Sequence, residues 1–399
     1  MIINKSRNEE RRKMNNIAIV VIAYNRVNSL ARLLNSLKNA TYNEKEVCLI
    51  ISIDNSGIND VYDYATSFEW PYGDKKVILN SKRLGLHKHV LQCGNLTDIY
   101  NSIIVLEDDV YVSRHFFDYA VQTIKKYESN DHIAGISLYS HQWNVGVNRP
   151  FTPLDNGYDV YFMQYAQSWG QIWTKRMWKH FYEWYVANKE NLNEINGVPS
   201  YVLNWSMSSW LKYYISYIVD TGRYFVYPYV SLTTNFTDIG SHNKIPTTSY
   251  QVPLITCIKG NYELPDFDKN IHSYDVYFEI EGLERNLEIS QKNICIDFYG
   301  KKKNYDKRRY WLSTLPAPYK VIRSFSMELR PQELNVINNL KGKEIFLYDT
   351  HVMDNQFTKK RIRELEIAKI RYDIKATSNK KLLKLLMFEM LIYIKKRIA

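Results

Sequence analysis

The stretch Ser102-Ile103-Ile104-Val105-Leu106-Glu107-Asp108-Asp109-Val110-Tyr111 decides the reading of this chain. Its first half is apolar with no polar alternation, the pattern of a strand buried on both faces of a parallel sheet. Three adjacent acids then end it. Carboxylates this close in the chain, within about 10 Å, repel one another and call for a cation or a ring of donors. Oxygen ligands of this kind suit Mg²⁺ or Mn²⁺. In doubly wound sheets, ligands bind beyond the carboxyl ends of the strands, where these acids fall.

Working outward, Ile17 to Ala23 reads as a first buried strand, and Val27, Leu30, Leu33, Leu34 and Leu37 have the spacing of a helix lying on a sheet. Leu49 to Ile53 is a second strand ending at Asp54, and Lys76 to Leu79 a third. After the acids, Ser113 is placed to cap a helix whose buried face is Phe117, Ala120, Val121 and Ile124, and Ile133 to Leu138 is a further strand. Strand and helix in alternation predict an α/β, doubly wound domain.

The chain has 399 residues, beyond the size at which one core stops growing, so a second domain or a substantial appendage is expected. The boundaries read as a basic leader over 1–15, a catalytic α/β domain over 16–245, a small α+β appendage over 246–375 and a basic amphipathic helix over 376–399. Within the first domain, residues 150 to 245 hold Trp169, Trp173, Trp178, Trp184, Trp205 and Trp210 and are expected to shape a pocket, although burial in the core is the ordinary fate of each. In the appendage, Ile294 to Tyr299 and Glu344 to Tyr348 read as strands, and Pro331-Gln332-Glu333-Leu334 opens a helix. Residues 380 to 399 place an apolar run between clustered lysines; that run is shorter than the about 20 residues that span a bilayer. An interfacial helix on anionic lipid is preferred to a plain packed terminal helix.

A net charge of +11 favours anionic partners. Zinc spacings, a Walker loop and RNP-type motifs are all missing from the sequence, which argues against nucleic acid. Cys48, Cys93, Cys257 and Cys295 form no C-x-x-C pair and no apolar leader precedes the first strand, so a reducing, cytoplasmic setting is expected.

The motifs together resemble the GT-A glycosyltransferases, in particular the N-acetylglucosaminyltransferase I type and the bacterial family 2-like polysaccharide enzymes. The resemblance runs over residues 16 to 245. It rests most heavily on Glu107-Asp108-Asp109 followed by a Phe-rich helix start, and also on Ala23-Tyr24-Asn25-Arg26, on Asp54, on Ala166 to Trp173 with Trp169-Gly170, and on Asn235 to His242. It implies a mixed GT-A sheet and a metal-dependent transfer from a nucleotide-sugar to a glycan or lipid-linked acceptor in surface polysaccharide assembly, at the inner face of the plasma membrane. By the same resemblance Asp54 reads the base, Asp108 contacts the ribose side, Asp109 binds Mn²⁺ or Mg²⁺ with His242 as a second ligand, and a residue of the basic loop, among Lys82, Arg83, His87, Lys88 and His89, faces the diphosphate. Glu107, Trp169 and Gly170 complete the donor site.

One departure stands out. Inverting relatives carry a catalytic aspartate in the form Asn-x-Trp-Asp-x-x-Trp, whereas this chain reads Asn204-Trp205-Ser206-Met207-Ser208-Ser209-Trp210. The proton-accepting role then falls to another carboxylate, with Asp238, Asp220 and Glu183 as candidates. Two rival readings are a sugar nucleotidyltransferase, whose Gly-rich loop after the first strand is missing from Ala23 to Val27, and a non-catalytic carbohydrate-binding derivative.

Overall fold

The computed structural model describes residues 17–43, 46–236, 238, 248–267, 272–374 and 378–398. The expected leader over 1–15 and His242 lie outside the described residues. The chain divides into two compact units, Met1–Gly282 and Leu283–Ala399. Residues 246–282, read from sequence as part of the appendage, therefore belong to the first unit, where they add an edge strand to its sheet.

In the first unit the elements run β1 (Ile17–Ala23), α1 (Val27–Lys38), β2 (Cys48–Ile53), α2 (Asp60–Ser67), β3 (Lys75–Leu79), α3 (Leu86–Gly94), β4 (Ser102–Glu107), β5 (Val110–Val112), α4 (Phe116–Tyr127) and β6 (Ile133–Ser137). A short hairpin of β7 (Trp143–Asn144) and β8 (Arg149–Pro150) follows. Then come β9 (Val160–Met163), β10 (Gln171–Thr174), α5 (Lys175–Asn188), α6 (Ser200–Leu203), α7 (Trp210–Thr221), β11 (Tyr224–Pro228), β12 (Thr233–Asn235) and β13 (Ser273–Tyr274). Nine strands form one sheet in the order β13-β9-β11-β6-β10-β4-β1-β2-β3. The block β3-β2-β1-β4 is parallel, and β10 pairs antiparallel with both β4 and β6. The result is doubly wound, as the apolar runs predict, and mixed, as the resemblance to GT-A enzymes implies.

Every residue of β1 is buried, as are Ser102 to Leu106 of β4, because helices cover both faces of this part of the sheet. Helix α1 buries Leu30, Leu33, Leu34 and Leu37, the stripe its 3.6-residue period marks out. Ser113, however, is no N-cap. Helix α4 is preceded by His115 without a side-chain cap, and the Ser113 hydroxyl instead donates to the Ile255 carbonyl at 2.7 Å, tying the later chain to the turn after β5.

The tryptophans mostly meet their ordinary fate. Trp173 is fully buried; its ring packs on Trp178 at 4.6 Å and stacks on Tyr214 at 5.6 Å, with Trp210 edge-on at 5.8 Å. Aromatic pairs at such separations favour offset or edge-to-face contact and make a rigid base for α5 and α7.

The second unit contains β14 (Ile294–Asp297), β15 (Tyr310–Ser313), β16 (Tyr319–Phe325), α8 (Glu333–Ile337), β17 (Ile345–Met353), α9 (Lys359–Ile374) and α10 (Asn379–Ile398). Its four-stranded sheet has the order β14-β15-β17-β16, and its core gathers Trp311, Phe346, Tyr348 and Leu365. The α+β character and the strands near 294 and 345 agree with the sequence reading. The amphipathic character of α10 does not. Leu383, Leu385, Leu386, Met387, Phe388, Met390 and Leu391 are each more than half exposed, and they lie on all sides of the helix instead of one stripe. Among the described residues, no helix is long and apolar enough to cross a membrane.

Candidate active site

The parallel strands set the site. Register places Ile22 beside Glu107 and Ala23 beside Ile53, so the carboxyl ends of β1, β2 and β4 lie side by side. The chain leaves these ends as Tyr24-Asn25-Arg26, Asp54 and Asp108-Asp109. These residues, with Ala23, Arg83, His89, Glu107 and Asp238, line one cleft.

Arg26 dominates its electrostatics. The guanidinium Nε donates to Asp108 Oδ2 at 3.4 Å, Nη2 donates to Asp108 Oδ1, and Nη1 donates to Asp109 Oδ2 at 3.2 Å. Burial alone would lower the arginine pKa, but Asp108 and Asp109 outweigh it and hold the guanidinium charged. Asp108 is pushed up to about 6, because the cost of its burial exceeds what the Arg26 pair returns. Glu107 is pushed up to about 8 by burial and then by Asp109 and Asp108, against the opposing pull of Arg26 and a hydrogen bond with the Trp210 side chain. The acid triplet is therefore not uniform: Asp108 and Asp109 share a counter-charge, and Glu107 favours its protonated form at neutral pH.

Asp54 is buried and already engaged. Its Oδ1 accepts the backbone N–H groups of Asn55 at 2.9 Å and Leu84 at 2.7 Å, and its Oδ2 accepts that of Gly85 at 2.9 Å. The strand-end aspartate thus holds the loop before α3 in place. That loop presents Arg83, whose guanidinium lies 5.2 Å from the centre of the Tyr24 ring.

The basic loop therefore faces the cleft through Arg83, while Lys82, one residue earlier, is exposed and does not line it. His87 is also turned away: it stacks on Tyr213 at 4.7 Å, and its Nδ1 lies 3.1 Å from the Met207 carbonyl oxygen. His89 borders the cleft from beneath, with Nε2 2.7 Å from the Ser52 hydroxyl, and burial lowers its pKa.

The base candidates separate cleanly. Asp238 lines the cleft, but its carboxylate accepts the Ser29 hydroxyl at 2.7 Å and pairs with Arg32, whose guanidinium rests on the Phe236 ring at 3.8 Å. Burial would raise its pKa; the Ser29 bond and Arg32 more than offset that and lower it. This suits an anchor for the segment after β12 better than a proton acceptor. Asp220 lies at the far end of α7, accepts the Trp184 indole N–H at 2.7 Å and does not line the cleft. Glu183 is exposed on α5 beside Lys179. Ser29 and Arg32 were not singled out from sequence. The available signal was a serine and an arginine three residues apart on the same helix, one turn after Arg26.

Trp169 and Gly170 border the sheet without lining this cleft. Gly170 has φ +101°, and a Cβ there would sit 2.9 Å from Thr233 Cγ2 and 3.3 Å from Leu106 Cδ2, so only glycine lets this loop close against β4 and β12. The Trp169 ring stacks on Tyr250 at 5.1 Å.

Asp108 and Asp109 are two hard oxygen donors at the cleft wall. No group of three or more potential ligands that could hold a metal gathers among the described residues. The donor set fits an ion of the Mg²⁺ or Mn²⁺ kind, which takes one or two carboxylates and completes its shell from phosphate and water. Asp109 and Asp108 would hold it.

A mixed sheet of this order, with acids and arginines at the carboxyl ends of its parallel block and a separate antiparallel β5-β12 pair, is a GT-A-type fold. Residues 18–184 match the family model for glycosyl transferase family 2. No curated protein sequence matches the chain. Among solved structures, the mannosyltransferase PcManGT from Pyrobaculum calidifontis, in complex with GDP-Man and Mn²⁺, is 11% identical, with 53% of this chain and 54% of that one covered and a TM-score of 0.33. TarS 1-349 of S. aureus, in complex with UDP-GlcNAc, is 13% identical, with 57% and 60% covered and a TM-score of 0.38. The chain thus spans less than two thirds of either protein. The family match and the sheet topology carry the assignment.

Proposed function

We propose that this chain transfers a sugar from a nucleotide-sugar donor to a hydroxyl of a glycan or lipid-linked acceptor, in the assembly of a bacterial surface polysaccharide. The observation that carries the reading is the convergence of Arg26, Asp54, Arg83, Asp108 and Asp109 on one cleft at the carboxyl ends of β1, β2 and β4. That is where a doubly wound sheet binds a nucleotide. Asp54 sets the base-side wall by fixing residues 84 and 85, Asp108 faces the ribose side, and Arg26 and Arg83 supply positive charge for the diphosphate. A divalent ion at Asp109, when bound, neutralises charge on the departing nucleoside diphosphate. The Trp169-Gly170 loop, braced by Tyr250, lies on the acceptor side.

The test is incubation with a panel of nucleotide-sugars and Mn²⁺. Release of nucleoside diphosphate supports the transfer reading, pyrophosphate chemistry supports a nucleotidyltransferase, and binding without turnover supports a non-catalytic derivative.

The acceptor side of the proposal includes a peripheral contact with an anionic membrane at the cytoplasmic face. Residues 283–399 hold 26 Lys and Arg against 13 Asp and Glu, a net charge of +13, while residues 1–282 hold 27 against 29, a net charge of −2. All the excess positive charge therefore belongs to the unit that also carries the exposed apolar helix α10, which combines the two attractions a lipid surface offers. The full chain is expected to sediment with phosphatidylglycerol-containing vesicles and not with pure phosphatidylcholine, and to be released by high salt. A Leu386→Glu, Phe388→Glu double variant is expected to bind at least about tenfold more weakly. Equal sedimentation with both vesicle types would argue against an electrostatic contact.

A further inference from the structure

The Arg26 contact has a consequence for how an ion enters the site. This inference rests on the donor-site reading above. The oxygen of Asp109 that accepts from Arg26 Nη1 at 3.2 Å is one that a divalent ion would take, and the same guanidinium grips both oxygens of Asp108. A Mg²⁺-sized ion sits about 2 Å from its carboxylate oxygen, so an ion on Asp109 would face the guanidinium across a few ångströms of poorly solvated space. Driving Arg26 off instead strands Asp108, which is buried and takes its counter-charge from Arg26. Either way, the ion alone is opposed by the protein's own cation.

A diphosphate changes the balance. It brings negative charge that a guanidinium can grip with two parallel N–H donors, and it offers the ion the ligands the chain does not supply. We infer that Arg26 is the counter-cation of Asp108 and Asp109, and that it admits a divalent ion only together with a diphosphate, to which it then turns. Arg26 is thus a positioning residue that couples metal and donor binding. Linkage requires the coupling to be reciprocal: the diphosphate tightens the metal as much as the metal tightens the diphosphate. The device needs arginine, because its planar fork reaches two carboxylates at once and a lysine ammonium is a single point charge.

The experiment is a Mn²⁺ titration of the full chain, read by the electron paramagnetic resonance of free Mn²⁺, for the wild type, Arg26→Gln and Arg26→Lys. Each is titrated with Mn²⁺ alone and with UDP or GDP present. The wild type should bind Mn²⁺ weakly alone and at least about tenfold more tightly with the diphosphate it accepts. Arg26→Gln should bind Mn²⁺ alone at least about tenfold more tightly than the wild type and gain less from the diphosphate, with Arg26→Lys between them. Mn²⁺ alone should also raise the melting temperature of Arg26→Gln by more than that of the wild type, a response that a merely structural arginine would not give. If Arg26→Gln fails to fold, the Arg26→Lys titration decides in its place. Equal affinity of wild type and variants for Mn²⁺ alone overturns the role of Arg26 and leaves the metal site standing. No Mn²⁺ binding by any form, with or without diphosphate, overturns both.

Discussion

Replacing Asp109 with alanine is expected to cut metal-dependent donor hydrolysis and transfer by at least about 100-fold, the scale on which removing one group that stabilises developing charge acts. Asp109 and Asp108 are the adjacent carboxylates placed to hold the ion, and Asp108 is buried and gripped at both oxygens by Arg26. Loss of Asp109 therefore removes the more open carboxylate from the metal position. The fold should survive, because Arg26 keeps its contact with Asp108 and one repulsion within the triplet disappears. The measurement is nucleoside diphosphate release against Mn²⁺ concentration for wild type and Asp109→Ala, with melting curves as the control for folding. A rate that is unchanged and still responds to Mn²⁺ would remove the metal role from this residue.

The second large effect concerns stability and pH. His141 is 2% exposed, its Nε2 has no hydrogen-bond partner among the described residues, and its ring is surrounded by Tyr139, Tyr165, Trp169, Tyr227 and Phe278 at centroid distances of 5.3 to 6.2 Å. Burial lowers its pKa to about 3. The unfolded chain takes up this proton near pH 6.5, and the folded chain does not until about pH 3. Between those values the unfolded state binds more protons, so stability from this group is complete above the upper limit and declines as pH falls. The slope is on the order of 1 kcal/mol per pH unit below about pH 6. Glu107 and Asp108, both with raised pKa values, act in the opposite sense over part of this range. The readout is therefore the difference between wild type and His141→Phe. The variant should lose about one proton's worth of slope in denaturant midpoint between pH 6 and pH 4. Parallel curves for the two proteins would show that His141 is protonated in the fold.

The acidic triplet and Arg26 are legible in sequence because each sits at the end of an apolar run or directly after one. The error over Ser113 has a local cause. A serine three residues before a helical stripe looks like a cap, but its hydroxyl found the Ile255 carbonyl, a partner 142 positions away. Clustered lysines at both ends of α10 suggest a polar face, whereas exposed apolar side chains occur on all sides of the helix between them. Within the basic loop, sequence could not separate Arg83 from Lys82 or His87. Successive side chains in a turn and the helix after it point in different directions, and the two backbone bonds from Leu84 and Gly85 to Asp54 hold the loop so that Arg83 meets the cleft.

By itself the sequence determined the local matters: that 17–23, 48–53 and 102–107 are strands buried on both faces, that a leucine stripe lies against them, and that three acids end the last of them. These follow from periodicity and from the cost of burying polar groups, which act over a few residues. Tertiary structure alone decided which charges meet: Arg26 with Asp108 and Asp109, 82 and 83 positions apart, and Ser29 and Arg32 with Asp238, 209 and 206 positions apart. Such pairs depend on strand register and on the rotation of each helix about its axis. Those are settled by the packing of the whole sheet and not by any stretch of chain.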